Sequence, residues 1–287
     1  MSANHELREF LRSRRARRTP DEVGMAPGPG HRRVPGLRRE EVAQLAGVSV
    51  DYYVRLEQGR ASSVSTDVLE AIARALCLDE AERAHLLHLA KPVLARRRGP
   101  DPGGQRVRPG VQLLLDTLRT PAFVLGRRTD VLATNAMARA LLCDFDALEP
   151  RERNHARWVF LNPVARERYV DWEAVARDNV AALRLDAGRF PDDAVLNELI
   201  GELSVKSREF AAWWAQHDVV RLAHGTKGYR HPVAGDVEVQ YEALDLPADQ
   251  DQTLFVYSAP EGSASAKGLD LLASWIAEPA GPGLLTT

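Results

Sequence analysis

The sequence predicts a multidomain chain, with an all-α N-terminal domain and an α+β C-terminal domain built on an antiparallel sheet. Three observations predict this. Outside a Pro- and Gly-rich stretch at 17–36, the apolar positions through residue 90 recur at helical spacing. From residue 91 to 110, "KPVLARRRGPDPGGQRVRPG" combines Pro, Gly and Arg with no apolar period and reads as a linker. Beyond it, strand patterns, a long helical stretch and further strand patterns follow one another without a regular β-α-β alternation. The expected boundaries are residues 1–90, a linker at 91–110 and a second domain at 111–279, and 287 residues suffice for two cores.

The first helix is "ELREFLRSRR", which puts Leu7, Phe10 and Leu11 on one face and arginines on the other. Residues 17–36 hold four prolines and four glycines and read mostly as loop. Two short helices follow around Gly47 in "REEVAQLAGVSVDYYVRLEQGR". Next, "TDVLEAIARALCL" gathers Val68, Leu69, Ile72, Ala75 and Leu76 on one face, and Asp79 and Glu82 have capping-box spacing for a further helix. In the second half "VQLLLDTL" is helical, while "PAFVLG" and "DVLAT" are short strands joined by the turn "RRT". Helical patterns dominate from Asn135 to His217; strands return with "VVRLAHG", "DVEVQYEAL" and "TLFVYSA", and "GLDLLASWIAE" is the last helix.

Gly47 explains the first domain. Glycine inside a helix costs about 1 kcal/mol relative to alanine, so its place between two short helices implies a turn needing positive φ. Ala43 is small where two helices cross, Val42, Val48, Tyr53 and Leu56 can share one core, and Ser49 is placed to N-cap the second helix. This is helix-turn-helix spacing. Its second helix would turn Val50, Asp51, Arg55 and Gln58 outward, toward the major groove of duplex DNA. Arg55 can donate bidentately to guanine; Asp51 can accept from cytosine N4 or brace Arg55 at i,i+4. Arg38, Arg39 and Arg60 flank the unit and are placed for phosphates, and Ser49 and Tyr52 complete the expected DNA-binding set. A helical hairpin that never meets DNA has the same spacing. Charge favours the DNA reading: residues 1–108 carry 20 Arg/Lys against 14 Asp/Glu, and residues 109–287 carry 18 against 26.

The segments "GLRREEVAQLAGVSVDYYVRLEQGR" and "VLEAIARALCLDEAERAHLLHLA" resemble the Cro/C1-type helix-turn-helix family, in the branch fused to an MmyB-like transcription-regulator ligand-binding domain. "TPAFVLGRRTDVLATNAMARAL", "VDWEAVARDNVAALRLDAGRFPDD", "ELSVKSREFAAWWAQHDV" and "TKGYRHPVAGDVEVQYEAL" resemble successive motifs of that domain. The resemblance implies a PAS-like C-terminal domain that accommodates a small or fatty-acid-like molecule and controls a DNA-binding dimer.

A pocket for such a molecule would be mostly apolar with a few convergent polar groups. The aromatic candidates are Phe123, Trp158, Trp172, Trp213 and Tyr241, and the polar ones Asn135, Arg184, His217 and His231; for each, a purely structural role is the competing reading. His217, His224 and His231 recur every seven residues, but no carboxylate or cysteine completes a ligand pattern, so no metal is expected. There is no G-x-S-x-G, Walker A loop or H-E-x-x-H, so neither an enzyme nor a cofactor is expected. Cys77 and Cys143 lie far apart and read as reduced thiols. With no apolar run of about 18 residues and no leader pattern, a cytoplasmic protein without a membrane partner is expected. The expected partners are a double-stranded DNA operator, a small apolar or amphipathic ligand and a second copy of the chain, because one recognition helix reads too few base pairs alone. The alternative keeps the DNA-binding half and makes the C-terminal domain only a dimerisation or partner-docking module.

Overall fold

Helix α1 (Ala3–Arg17) buries Leu7, Phe10 and Leu11, the stripe that its 3.6-residue period places on one side. The computed structural model describes residues 3–25, 36–61, 64–91, 105–249 and 251–277. Residues 92–104 of the expected linker, and 278 and 279 at the end of the expected second domain, lie outside the described residues. Helices α2 (Arg39–Ala46), α3 (Val50–Glu57), α4 (Thr66–Ala75) and α5 (Glu80–Ala90) follow. Their inner faces meet α1 in one cluster that includes Phe10, Leu11, Val42, Ala43, Tyr53, Leu56, Leu69 and Ile72. Burying each large side chain contributes about 1.5–3 kcal/mol. The capping box forms: Glu82 N donates to Asp79 Oδ1 at 2.8 Å and Asp79 N to Glu82 Oε2 at 3.1 Å.

The remaining elements, in chain order, are α6 (Pro109–Thr117), β1 (Ala122–Leu125), β2 (Val131–Thr134), α7 (Ala136–Leu141), α8 (His155–Leu161), α9 (Pro163–Arg168), α10 (Trp172–Arg189), α11 (Ala194–Lys206) and α12 (Arg208–Trp214). After these come β3 (His224–His231), β4 (Gly235–Asp245), β5 (Thr253–Ser258) and α13 (Ala264–Ala277). The five strands form one antiparallel sheet in the order β2-β1-β5-β4-β3, the α+β architecture expected from the sequence. Strand β1 reads "AFVL" without alternation because both its faces are covered. Ala122 and Val124 pack with Val111 and Leu115 of α6, while Phe123 stacks on Phe255 at 5.2 Å between ring centroids.

One strand departs from expectation. "VVRLAHG" was the apolar run that read as a strand, but β3 begins at His224 and runs through "HGTKGYRH". The apolar run and the strand overlap only at His224 and Gly225, and the strand continues through Gly228. Both glycines are there for space: a Cβ on Gly225 would lie 2.8 Å from the Tyr241 ring, and one on Gly228 would lie 2.9 Å from Val170 Cβ.

By contacts the chain divides into two compact units. One comprises Met1–Arg98, Val180–Ser204 and Ala211–Arg221, and the other Gly99–Asn179, Val205–Phe210 and Leu222–Thr287. In the first, helical unit, the Arg184 guanidinium is 1% exposed and is held by Glu6 Oε2 at 2.7 Å, by the Trp214 carbonyl and by the Trp214 ring, 3.8 Å from its centroid. Arg184 Nη1 also donates to His217 Nδ1 at 3.0 Å, so that imidazole is neutral. Nearby, Arg14 Nε lies 2.7 Å from Glu82 Oε1.

Four histidines are kept neutral, with burial the leading cause in each: His85 and His217 are lowered to about 3, His155 and His231 to about 4, against an ordinary 6.5. The unfolded chain binds protons at these positions below about pH 6.5 that the folded chain refuses, so stability falls as pH falls through that window. Urea midpoints measured between pH 7.5 and 4.5 should decline steadily below 6.5. A flat profile would contradict the neutral assignment.

Candidate nucleic-acid interface and ligand pocket

Gly47 ends α2 in the left-handed region, with φ 67°. Nothing lies within 4 Å of where its Cβ would be, so the backbone conformation, not crowding, calls for glycine. The amide of Val48 donates back to the Ala43 carbonyl at 3.0 Å and closes the turn. Ser49 then caps α3, its Oγ accepting from Tyr52 N at 3.2 Å.

Helix α3 has one locked face and one open face. On the locked face Tyr53 and Leu56 are buried, and Glu57, the last residue of the helix, is 2% exposed. Glu57 accepts from Arg15 Nε of α1 at 2.8 Å and from Arg39 Nε of α2, which ties the C-terminal end of α3 to both neighbouring helices. Arg39, expected at phosphate, thus has a partner within the fold while its side chain stays 46% exposed. Glu57 and Arg15 were not anticipated; a carboxylate in phase with Tyr53 and Leu56 was the available signal. On the open face Val50, Asp51, Arg55 and Gln58 are all exposed, and Tyr52 is half-buried against the core. Among the described residues neither Arg55 nor Asp51 has a side-chain hydrogen bond or ion pair, so of the two roles open to Asp51 the brace to Arg55 is not formed. Arg60 is exposed beyond the helix, and Arg38 is half-buried, its backbone amide donating to Glu41 Oε2 at 2.7 Å.

In the α+β unit the expected pocket residues are scattered. Asn135 is committed to backbone: Oδ1 accepts from Ala122 N at 3.1 Å and Ala138 N at 2.9 Å, and Nδ2 donates to Thr120 O at 2.8 Å. His231 is likewise occupied, with Nε2 donating to Ala140 O at 3.0 Å and Nδ1 accepting from Val233 N and Ala234 N. Phe123 stacks within the sheet, Trp158 lies between Phe145 and Tyr169, and Trp172 donates from Nε1 to Val159 O at 2.8 Å beneath Arg166. Arg184, Trp213 and His217 belong to the helical unit.

Tyr241 stands apart from these. It lines a pocket of about 160 Å³ between the start of α10 and the β3–β4 pair, together with Asp171, Asp178, Thr226 and Lys227. Lys227 was not anticipated. Once β3 is placed, alternation puts it in phase with Tyr229 and His231 on the buried face, and in register with Val239. It is 7% exposed, and burial lowers its ammonium to about 8, opposed by the charge of Asp178. Its Nζ lies 4.8 Å from the centroid of the Tyr241 ring. Burial raises the Asp178 carboxyl in turn.

Among the described residues no helix is long and apolar enough to cross a membrane. A family model described as MmyB-like transcription regulator ligand binding domain matches residues 107–272, and one described as Helix-turn-helix domain matches residues 6–86. No curated relative matches the chain.

Proposed function

Because the chain belongs to the family of transcription regulators with an MmyB-like ligand-binding domain, we propose that its DNA-binding half reads a specific operator as a homodimer and that a small amphipathic ligand in the α+β unit biases that binding. The observation that carries this reading is α3, clamped on one face through Glu57 and carrying unspent Asp51, Arg55 and Gln58 on the other. Arg55 is assigned to a base edge, bidentate to guanine, and Val50 and Gln58 to the adjacent groove wall. Ser49 and the amides of the first turn of α3 lie where a phosphate would approach a helix N-terminus. Arg38 and Arg60 are assigned to phosphate, with Arg39 acting through Glu57. Replacing Arg60 should weaken all DNA binding alike and make the salt slope shallower by about one unit.

Two-fold pairing would place two α3 helices on half-sites about 10–10.5 bp apart or a multiple of that. The polar lining around Lys227 supports an amphipathic ligand over a purely apolar one. Of the aromatic and polar groups expected at the ligand, Tyr241 is the one assigned to contact it. A ligand can shift DNA affinity only by binding one state of the dimer more tightly, and such couplings amount to about 1–3 kcal/mol.

The test is to extract the small molecule that co-purifies with the protein, identify it by mass spectrometry, and titrate it with and without operator DNA. The reading requires ligand affinity to change in the presence of operator by the same factor, about 5–150-fold, by which ligand changes operator affinity. Equal ligand affinity in both conditions would leave a binding domain without a switch.

A further inference from the structure

A lysine on the buried face of a sheet is an expensive choice unless something meets it. Lys227 is 7% exposed, its ammonium faces a pocket, and among the described residues no hydrogen bond or ion pair satisfies it. The only partner it has there is the face of Tyr241. Asp178, on α10 across the same pocket, is half-buried and also lacks a hydrogen bond or ion pair among the described residues. The two charges feel one another but do not close into a salt bridge. A fold that needed only a buried ion pair would have brought them together; here the pocket lies among the buried cation, the half-buried Asp178 and a second carboxylate, the exposed Asp171.

The occupant of such a pocket presents an acceptor at one end and a donor at the other. Its size is bounded by a cavity of about 160 Å³. That is close to the roughly 150 Å³ of an engineered cavity that holds one benzene ring, and well below the roughly 300–1,000 Å³ of drug-sized sites. A long acyl chain would extend out of it into solvent, and a simple anion would leave Asp178 facing a second negative charge.

We propose that this pocket binds a small α-amino acid or close amino-carboxylate, its carboxylate on the Lys227 ammonium and its ammonium on the Asp178 carboxylate. The proposal rests on the α+β unit being the ligand-binding half of the regulator. Both charges of the ligand are then matched, and the Tyr241 ring, held against Gly225 on the neighbouring strand, backs the Lys227 ammonium. A retained unpaired charge is also a sign of function, because it is stability given up for binding.

The experiment is isothermal titration calorimetry of the full-length protein with each of the twenty standard α-amino acids. Any amino acid that binds is then compared with its N-acetyl derivative, its decarboxylated amine, acetate and inorganic phosphate. At least one amino acid should bind, and loss of either its carboxylate or its ammonium should weaken binding by tenfold or more. Lys227→Met should abolish binding while raising the thermal midpoint of the unliganded protein, and Asp178→Asn should weaken binding by tenfold or more. No binding by any amino acid, equal binding of acetate or phosphate, or a Lys227→Met variant that melts lower than the parent would overturn the proposal. Decanoate serves as a separate arm. If it alone binds and shifts operator affinity, the amino-acid assignment fails and the regulatory reading stands; if an amino acid binds without changing operator affinity, the pocket assignment stands and the switch fails.

Discussion

Arg184→Ala should lower the stability of the helical unit by about 3–5 kcal/mol, the range for removing one partner of a buried ion pair. The loss has two sources. The guanidinium is replaced by a void beside the Trp214 ring, and Glu6, 8% exposed, keeps a carboxylate without its cation. Burial draws the Arg184 guanidinium down to about 10, and the charge of Glu6 opposes that shift. Urea unfolding followed by tryptophan fluorescence measures the effect directly. The double variant Glu6→Leu with Arg184→Met should recover most of the loss, since an apolar pair of similar volume leaves no charge stranded. A loss below about 1 kcal/mol in the single variant would show that water, not Glu6, satisfies the guanidinium.

Asn135→Ala should cost roughly 3–5 kcal/mol in the α+β unit. One side chain joins the end of α6, the first residue of β1 and the first turn of α7: it accepts from two buried amides and donates to Thr120 O at 2.8 Å and Leu118 O at 3.2 Å. Each buried amide left without an acceptor costs about 1–3 kcal/mol, and the helix cap is lost with them. Asn135→Asp keeps the acceptor but sets a second carboxylate oxygen against the carbonyls of Leu115, Leu118 and Thr120 in a buried site, so it should cost at least as much as alanine. In thermal melts the alanine change should lower the midpoint by about 10 °C, at about 2–4 °C per kcal/mol for a unit of this size. A drop of less than about 2 °C would mean that the surrounding backbone finds other partners.

These two residues also show what a sequence reveals and what it conceals. Both are polar candidates in the sequence, Asn135 directly after a strand and Arg184 within an apolar helix, and both are buried. Whether a buried polar group serves a ligand or the fold depends on partners far away in sequence, such as Glu6, 178 positions from Arg184. No local pattern carries that distance. The turn at Gly47 was legible because its signals are local: a glycine needing positive φ, a capping serine two residues on, and apolar residues at helical spacing. The same locality made β1 and β2 legible. It failed at β3, where the apolar run 219–225 drew the strand too early; the strand itself is polar and carries Gly225 and Gly228, each making room for a side chain, Tyr241 on the neighbouring strand and Val170 before α10. Missing the strand meant missing Lys227, whose meaning depends on the register with Val239 and on the approach of Asp178.

Glu57 falls between these cases. Its phase with Tyr53 and Leu56 was readable, but its two arginine partners come from helices whose packing only the fold supplies. Arg39, whose side chain stays 46% exposed, joins the clamp that holds α3, and among the described residues Arg55 is without an ion pair on the open face of that helix.

The most direct test of the account is selection of binding sites from a random duplex library by the full-length protein and by Arg55→Ala. The parent should enrich an inverted repeat, its half-sites separated by about one helical turn or a multiple. The variant should enrich the same repeat with preference relaxed at one guanine-containing base pair per half-site, at a cost of about 1–3 kcal/mol in affinity for the parental sequence. Enrichment of an unchanged motif by Arg55→Ala, or no enriched motif with the parent, would contradict the claim that α3 reads DNA.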